Sequence, residues 1–178
     1  IKDSNSGGST LVMGGGNKAD YTQQSAIIGV NNTLTGTSSN ISQYDYITGF
    51  NNTGTNVDNV TIIGTNRTVS DASNSVVIGA ADSAMTSSAS DAVTLGRNAN
   101  TTVDGGVALG SNSVASVDKG VAGYDVETEK ASTETSIAWK STSAAVSVGD
   151  TANNITRQIT GVAAGMQDTD AVNVAQLK

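Results

Sequence analysis

The sequence predicts a mainly β protein made of short coils stacked on one another, and three observations point there. An apolar triplet closing on glycine keeps returning: Leu11-Val12-Met13-Gly14, Ala26-Ile27-Ile28-Gly29, Thr61-Ile62-Ile63-Gly64, Val76-Val77-Ile78-Gly79, Val93-Thr94-Leu95-Gly96 and Val107-Ala108-Leu109-Gly110, with a weaker copy at Tyr46-Ile47-Thr48-Gly49. The glycines at 14, 29, 49, 64, 79, 96 and 110 are separated by steps of 15, 20, 15, 15, 17 and 14. That period is too short for a compact domain and suits one coil of a solenoid. Large side chains are scarce, with 3% aromatics and 20 glycines in 178 residues. A thin core of stacked Val, Ile, Leu and Ala layers uses such a composition well, though each coil buries little area at roughly 25 cal/mol per Å².

Each triplet reads as a strand. The positions one and three before glycine share a face, as in Ile28 with Ala26, Ile63 with Thr61 and Ile78 with Val76. The middle position (Ile27, Ile62, Val77, Thr94, Ala108) points the other way. Both faces are apolar or small, so both need cover. One fills the coil, and a neighbouring chain is the simple cover for the other. Glycine then breaks the strand where the backbone needs φ > 0 or a close approach. Asn31, Asn51, Asn66, Asn98 and Asn112 follow two residues later, with Ala81 at the same place in its repeat. Asparagine tolerates left-handed geometry, so a turn is expected there. Val69, Ala84 and Val114-Ala115 mark a second short strand, and the long step from Gly29 to Gly49 marks an inserted loop at 35–44.

Residues 1–123 hold the repeats, 124–150 read as a connector or last coil, and 151–178 change character again. The connector carries Glu127, Glu129, Lys130, Glu134 and the single tryptophan, Trp139, then one more strand-like run, Val146-Ser147-Val148-Gly149. Near the end, an Asp of Asp168-Thr169-Asp170 is the expected helix N-cap before good helix formers. Val174 and Leu177 have the a/d spacing that opens a coiled coil.

Composition removes several function classes. Net charge is −7 and the nine basic residues are scattered, which leaves no basic face for nucleic acid. With no His and no Cys, Ser–His–Asp and Cys–His catalysis and histidine- or thiolate-bound zinc are excluded. A Ser–Lys pairing here reads as chance. Neither EF-hand nor calcium-binding nonapeptide spacing occurs, so Asp3, Asp58, Asp82, Asp91, Asp104 and Asp118 read as solvated turn residues. Gly14-Gly15-Gly16 lacks the Lys-Ser/Thr of a phosphate loop. The Asn-x-Ser/Thr triplets at Asn31, Asn51 and Asn66 are expected by chance in so Asn- and Thr-rich a chain. No cofactor is expected. No run approaches 18 apolar residues, so no membrane helix is expected, and the start without Met or a signal sequence reads as an excised piece. Trp139 reads as an anchor packing one subunit on another.

The repeats, with Val146-Ser147-Val148-Gly149-Asp150, Arg157-Gln158-Ile159-Thr160-Gly161-Val162-Ala163-Ala164-Gly165 and the closing run from Asp168 to Lys178, resemble the YadA-like head and neck of trimeric autotransporter adhesins. Nearly the whole chain is covered, and the neck run is its most specific part. Several repeats are longer than the family's, which places irregular loops at 35–44, 53–59 and 85–90. The resemblance implies a left-handed parallel β-roll, three rolls around a threefold axis, and a neck narrowing to a three-stranded coiled coil. It also implies a C-terminal barrel, outside this sequence, anchoring the homotrimer in the outer membrane of a Gram-negative bacterium. In such a neck Ile155, Ile159, Val162 and Val174 are expected to be buried, with Leu177 in the first coiled-coil layer. Arg157 is expected to pair with Asp168 or Asp170, on a neighbouring chain, and so to set the trimer's register.

The leading functional expectation is therefore a cell-surface adhesin head and neck, not an enzyme, presenting three identical faces to an extracellular matrix protein or cell-surface receptor. The alternatives are a polysaccharide-active β-solenoid enzyme, which needs clustered Asp and Lys/Arg, and an ice-binding solenoid, which needs a regular Thr-x-Thr array. Along the sequence, Thr falls irregularly.

Overall fold

The computed structural model describes residues 1–3 and 9–178. Its main sheet stacks eight parallel strands in chain order: Thr10–Met13, Ser25–Val30, Tyr46–Phe50, Thr61–Ser70, Val76–Ser87, Val93–Leu95, Val107–Leu109 and Val146–Ser147. They pair in unbroken register, so Val12, Ile27, Ile47, Ile62, Val77, Thr94, Ala108 and Ser147 form one column. From Ile27 to Ala108 this column is buried. The repeat's middle position is thus the inside of the coil, as the strand period demands.

After each glycine the chain turns onto a second face. Lys18–Asp20, Thr33–Thr35 and Thr53–Thr55 pair in parallel there, and the ends of Thr61–Ser70 and Val76–Ser87 continue it. Asn100–Thr101 and Val114–Ala115 form its lower part. A third, narrow face carries Thr22–Gln23 paired with Ser42–Gln43, then bridges through Asp58 to Ser73. The corner asparagines Asn31, Asn51, Asn66, Asn98 and Asn112 are all left-handed, with φ of 56–60°. Gly49 at φ 130° shows why the triplet must end on glycine: an added Cβ would overlap the Gly64 carbonyl oxygen of the next coil.

The expected second strands stand at Val69 and Val114-Ala115, but Ala84 is exposed. Residues 81–84 bulge out of the sheet, and Met85 and Ser87 take the register positions opposite Arg67 and Val69. The loop at 35–44 is real in part: residues 36–41 leave the coil around a Thr37–Asn40 bridge, and Ser42–Gln43 rejoins it. Residues 53–59 and 85–90 are not the irregular loops expected. The former is a regular coil, and the disruption near the latter falls at 81–84, just before it.

The coil interior is lined by polar side chains as well as apolar ones. Asn17, Asn32 and Asn52 stack, and each donates its amide to the carbonyl of a corner glycine in the next coil: Gly29 at 2.7 Å, Gly49 at 2.7 Å and Gly64 at 2.8 Å. Each side-chain oxygen in turn accepts the backbone N–H of the next member. The fourth member is Arg67, 2% exposed. Its Nε donates to the Gly79 carbonyl as an asparagine would, at 2.9 Å, and its Nη atoms reach a coil further to Ala99 at 2.6 Å and Gly96 at 2.7 Å. Burial lowers its pKa from the usual arginine value, yet a guanidinium in that range stays charged. Backbone oxygens, not a carboxylate, are its counterweight.

Asp45 is the other buried charge-bearing group. Its N–H donates to Ser25 Oγ and its Oδ1 accepts the Val60 N–H at 3.0 Å, while Oδ2 is buried without a partner. Burial pushes its pKa up to about 8, the Asp58 charge adds to the rise, and the Val60 bond opposes it. The carboxyl is therefore protonated at neutral pH in the folded chain.

Residues 116–145 leave the main sheet. They form a small antiparallel hairpin, Tyr124–Asp125 with Lys130–Ala131, before Val146–Ser147 rejoins the sheet against Val107 and Ala108. Beyond it the chain is extended, with 3₁₀ turns at Thr151–Asn153 and Val174–Leu177. No coiled-coil helix forms at the end of the single chain. An isolated stretch this short cannot offset the cost of helix nucleation, and its apolar side has nothing in the chain to pack on. The N-cap of the last turn is Asn173, which accepts from Gln176 N in a capping box. The Asp168-Thr169-Asp170 run does not supply it.

Removing the guanidinium strands three interior carbonyls. Arg67→Ala is expected to lose about 2–4 kcal/mol of unfolding free energy in urea titrations. For Asp45 the folded pKa lies above the unfolded one, so the folded state binds the extra proton between pH 3.8 and about 8. Its contribution is complete below that window and is lost as pH rises through it. Denaturation midpoints are expected to fall from pH 4 to pH 8, and Asp45→Asn to flatten that slope.

Candidate assembly surface and head–neck junction

The outward positions of the main sheet form two further columns. One runs Leu11, Ala26, Tyr46, Thr61, Val76, Val93, Val107 and Val146; the other runs Met13, Ile28, Thr48, Ile63, Ile78, Leu95 and Leu109. Ile63 and Ile78 are each 38% exposed, and Leu11 and Met13 about half exposed. Parallel pairing joins single side chains into an unbroken apolar stripe the full length of the stack, with Thr48 and Thr61 its chief polar members. A stripe of this extent on a lone chain marks an interaction surface.

The second face is different. Thr33, Thr53 and Thr68 stand in register, as do Thr35, Thr55 and Ser70. Threonines that fall irregularly along the sequence are thus aligned in space over three coils, because turns of different length return the chain to the same register.

Arg157 fastens the extended segment that follows the stack to the last coil. One Nη donates to Val148 O at 2.7 Å and to Ser113 Oγ at 2.9 Å; the other donates to Ser111 O at 2.8 Å and Ser111 Oγ at 3.2 Å. Ser113 Oγ meanwhile donates to Leu109 O at 2.7 Å. Arg157 therefore meets the last coil as Arg67 meets the middle ones, by capping carbonyls. A cleft of about 480 Å³ lies alongside, between Val117, Val146 and Ile155. Within the chain Arg157 makes no ion pair with Asp168 or Asp170. Asp170 accepts the N–H groups of Met166 and Gln167, both at 3.0 Å, which hold its pKa below the usual carboxylate value.

Trp139 is about one-third exposed and accepts the Gly123 N–H on its backbone oxygen. It lines a shallow cleft with Asp168, which brings the segment around 139 beside the C-terminal run. Ile155 and Val162 are half-buried, but Ile159, Val174 and Leu177 lie open, Leu177 at 80%. A single chain supplies no cover for them.

Among the described residues there is no group of three or more His, Cys, Asp or Glu placed to hold a metal ion, and no helix is long and apolar enough to cross a membrane. Arg67 and Asn32, Asn52 were missed in the sequence reading. The signal was present as a polar residue three places after Gly14, Gly29, Gly49 and Gly64, but the exposed corner asparagine beside it drew the reading.

Residues 158–178 match the family model for the coiled stalk of trimeric autotransporter adhesins. The autotransporter adhesin BadA of Bartonella henselae is 57% identical over 58 residues, 33% of this chain and 2% of that protein. The trimeric autotransporter adhesin AtaA of Acinetobacter sp. (strain Tol 5) is 68% identical over 38 residues, 21% of this chain and 1% of that protein. The chain thus matches only a small fraction of the length of these relatives. Its stalk match over residues 158–178 and its two adhesin relatives make the chain similar to the trimeric autotransporter adhesins over those segments.

Proposed function

We propose that this chain is a head and neck of a bacterial surface adhesin, assembled as a homotrimer through the apolar stripe of its main sheet. The continuous outward column from Met13 to Leu109 carries the proposal. It supplies the self-complementary cover that a thin coil needs, and the family is trimeric. Trimerisation also gives the neck its cover: Ile155, Ile159, Val162, Val174 and Leu177 pack against their copies, and the stretch from Val174 winds into a coiled coil only when three chains meet. Trp139 packs at the contact between subunits.

Within that assembly Arg157 fixes how the neck leaves the head of its own chain, and Asp168, beside Trp139, faces the neighbours. The second and third faces remain outward and present three copies of each surface to a matrix protein, a host cell or another bacterium. Avidity then exceeds the affinity of one face by about 10²–10⁴-fold without any new contact.

Light scattering on the purified chain is expected to give the mass of three copies. Ile63→Asp with Ile78→Asp is expected to return a single-chain mass while far-UV circular dichroism keeps its β signature; a monomeric parent chain would sink the proposal. Arg157→Ala is expected to leave the coils intact and to speed proteolytic cleavage between residues 149 and 157. Binding to immobilised matrix proteins is expected for the trimer and to fall by at least tenfold for the Ile63, Ile78 variant.

A further inference from the structure

Two Asn-x-Thr triplets sit in Asn-Asn-Thr runs, at 31–33 and 51–53. The fold divides the two asparagines of each run between opposite sides of the wall. Asn32 and Asn52 are 0% exposed and bonded through both amide atoms in the interior ladder. Asn31 and Asn51 are exposed at left-handed corners, φ 57° and 56°, and among the described residues neither side-chain amide nitrogen donates to a protein atom.

Each exposed amide has a hydroxyl two residues on. Thr33 and Thr53 alternate with the buried Asn32, Leu34, Asn52 and Gly54, so they stand on the outer side of the second face, directly in register. Val30 and Phe50 are paired just before the corner, so both ends of the two turns are locked and Asn31 stacks over Asn51. Left-handed geometry alone accounts for asparagine at a corner, but not for the hydroxyl. Asn98 and Asn112 hold the same backbone conformation and are followed at the second position by Asn100 and Val114. Further triplets stand at Asn40, Asn59, Asn66, Asn100 and Asn154; Asn66-Arg67-Thr68 repeats the corner layout with its amide engaged, Asn66 Nδ2 donating to Ala81 O at 2.9 Å. At Asn40 the hydroxyl at the second position, Ser42, is buried.

We propose that Asn31 and Asn51 are N-glycosylation sites, stacked on one corner of the head, that accept a sugar activated through a diphosphate at its anomeric carbon. The step requires a separate glycosyltransferase. Asparagine Nδ2 attacks the anomeric carbon, a C–N bond forms and the C–O bond to the diphosphate breaks. The diphosphate carrier leaves with the electron pair, and the amide nitrogen gives up one proton to the transferase's base. The Thr33 or Thr53 hydroxyl is the recognition element that an Asn-x-Ser/Thr transferase requires. The sugar adds a bulky, solubilising group immediately beside Val30 and Phe50, which are 41% and 54% exposed. It would cover apolar surface at the rim of the stripe.

The test is site-resolved glycopeptide mass spectrometry with electron-transfer fragmentation on the protein isolated from its native cells. Sugar mass on Asn31 and Asn51, with Asn32, Asn52 and Asn66 bare, is the expected result; a single-hexose increment assigns a nucleotide sugar as donor, and a fixed oligosaccharide block a lipid-linked one. Unmodified Asn31 and Asn51, or sugar confined to other triplets, overturns the proposal. Thr33→Ala with Thr53→Ala keeps both corner asparagines, so its far-UV spectrum is expected to be unchanged while the increments at both sites are lost. Increments that persist in this variant also overturn it.

Discussion

At the corners from Gly29 to Gly96 a glycine carbonyl is turned inward where the strand ends, and a side-chain donor meets it. A buried carbonyl without a donor costs about 1–3 kcal/mol, a large part of the stability of a small fold. Asn17, Asn32 and Asn52 meet it in the upper coils, and Arg67 takes over where residues 81–84 swell the next coil. An asparagine reaches one coil. The arginine reaches two, holding Gly79, Gly96 and Ala99 together across the irregularity. The bulge is tolerated because a longer donor spans it.

The same device recurs at the foot of the stack. Arg157, from the extended segment beyond it, caps Val148 and Ser111 carbonyls and the Ser113 hydroxyl. It closes the end of the stack with charge-assisted bonds below the last coil, and ties the extended segment to a rigid platform. Between these two arginines the coils become narrow, with Ala99, Ala108 and Ala115 as a small cluster in place of the Ile and Val layers above. The lower coils thus depend more on hydrogen bonding, and the upper coils on apolar packing.

Outside the wall, parallel register turns scattered residues into surfaces. One face becomes an apolar stripe and another a ladder of threonines, from the same repeat read on alternate sides. Assembly through the stripe, as proposed, would leave the polar faces outward. Asp45 sits within the wall as a neutral carboxyl, so the stack carries an internal cost that rises with pH.

The repeat of apolar triplets closing on glycine determined the stacked coils, the inward column from Ile27 to Ala108 and the left-handed asparagine corners, because strand alternation and the φ > 0 requirement are local. Only the tertiary structure decided which polar residues became interior. Asn31 and Asn32 are adjacent and chemically identical, and the wall separates them. Nor does any spacing reveal that Arg67 spans two coils, that 81–84 bulge where 53–59 do not, or that Arg157 turns back to the head instead of to Asp170. Those outcomes depend on which carbonyls lie opposite once the coils are stacked, a property of register across 15 or more residues that local preference does not encode.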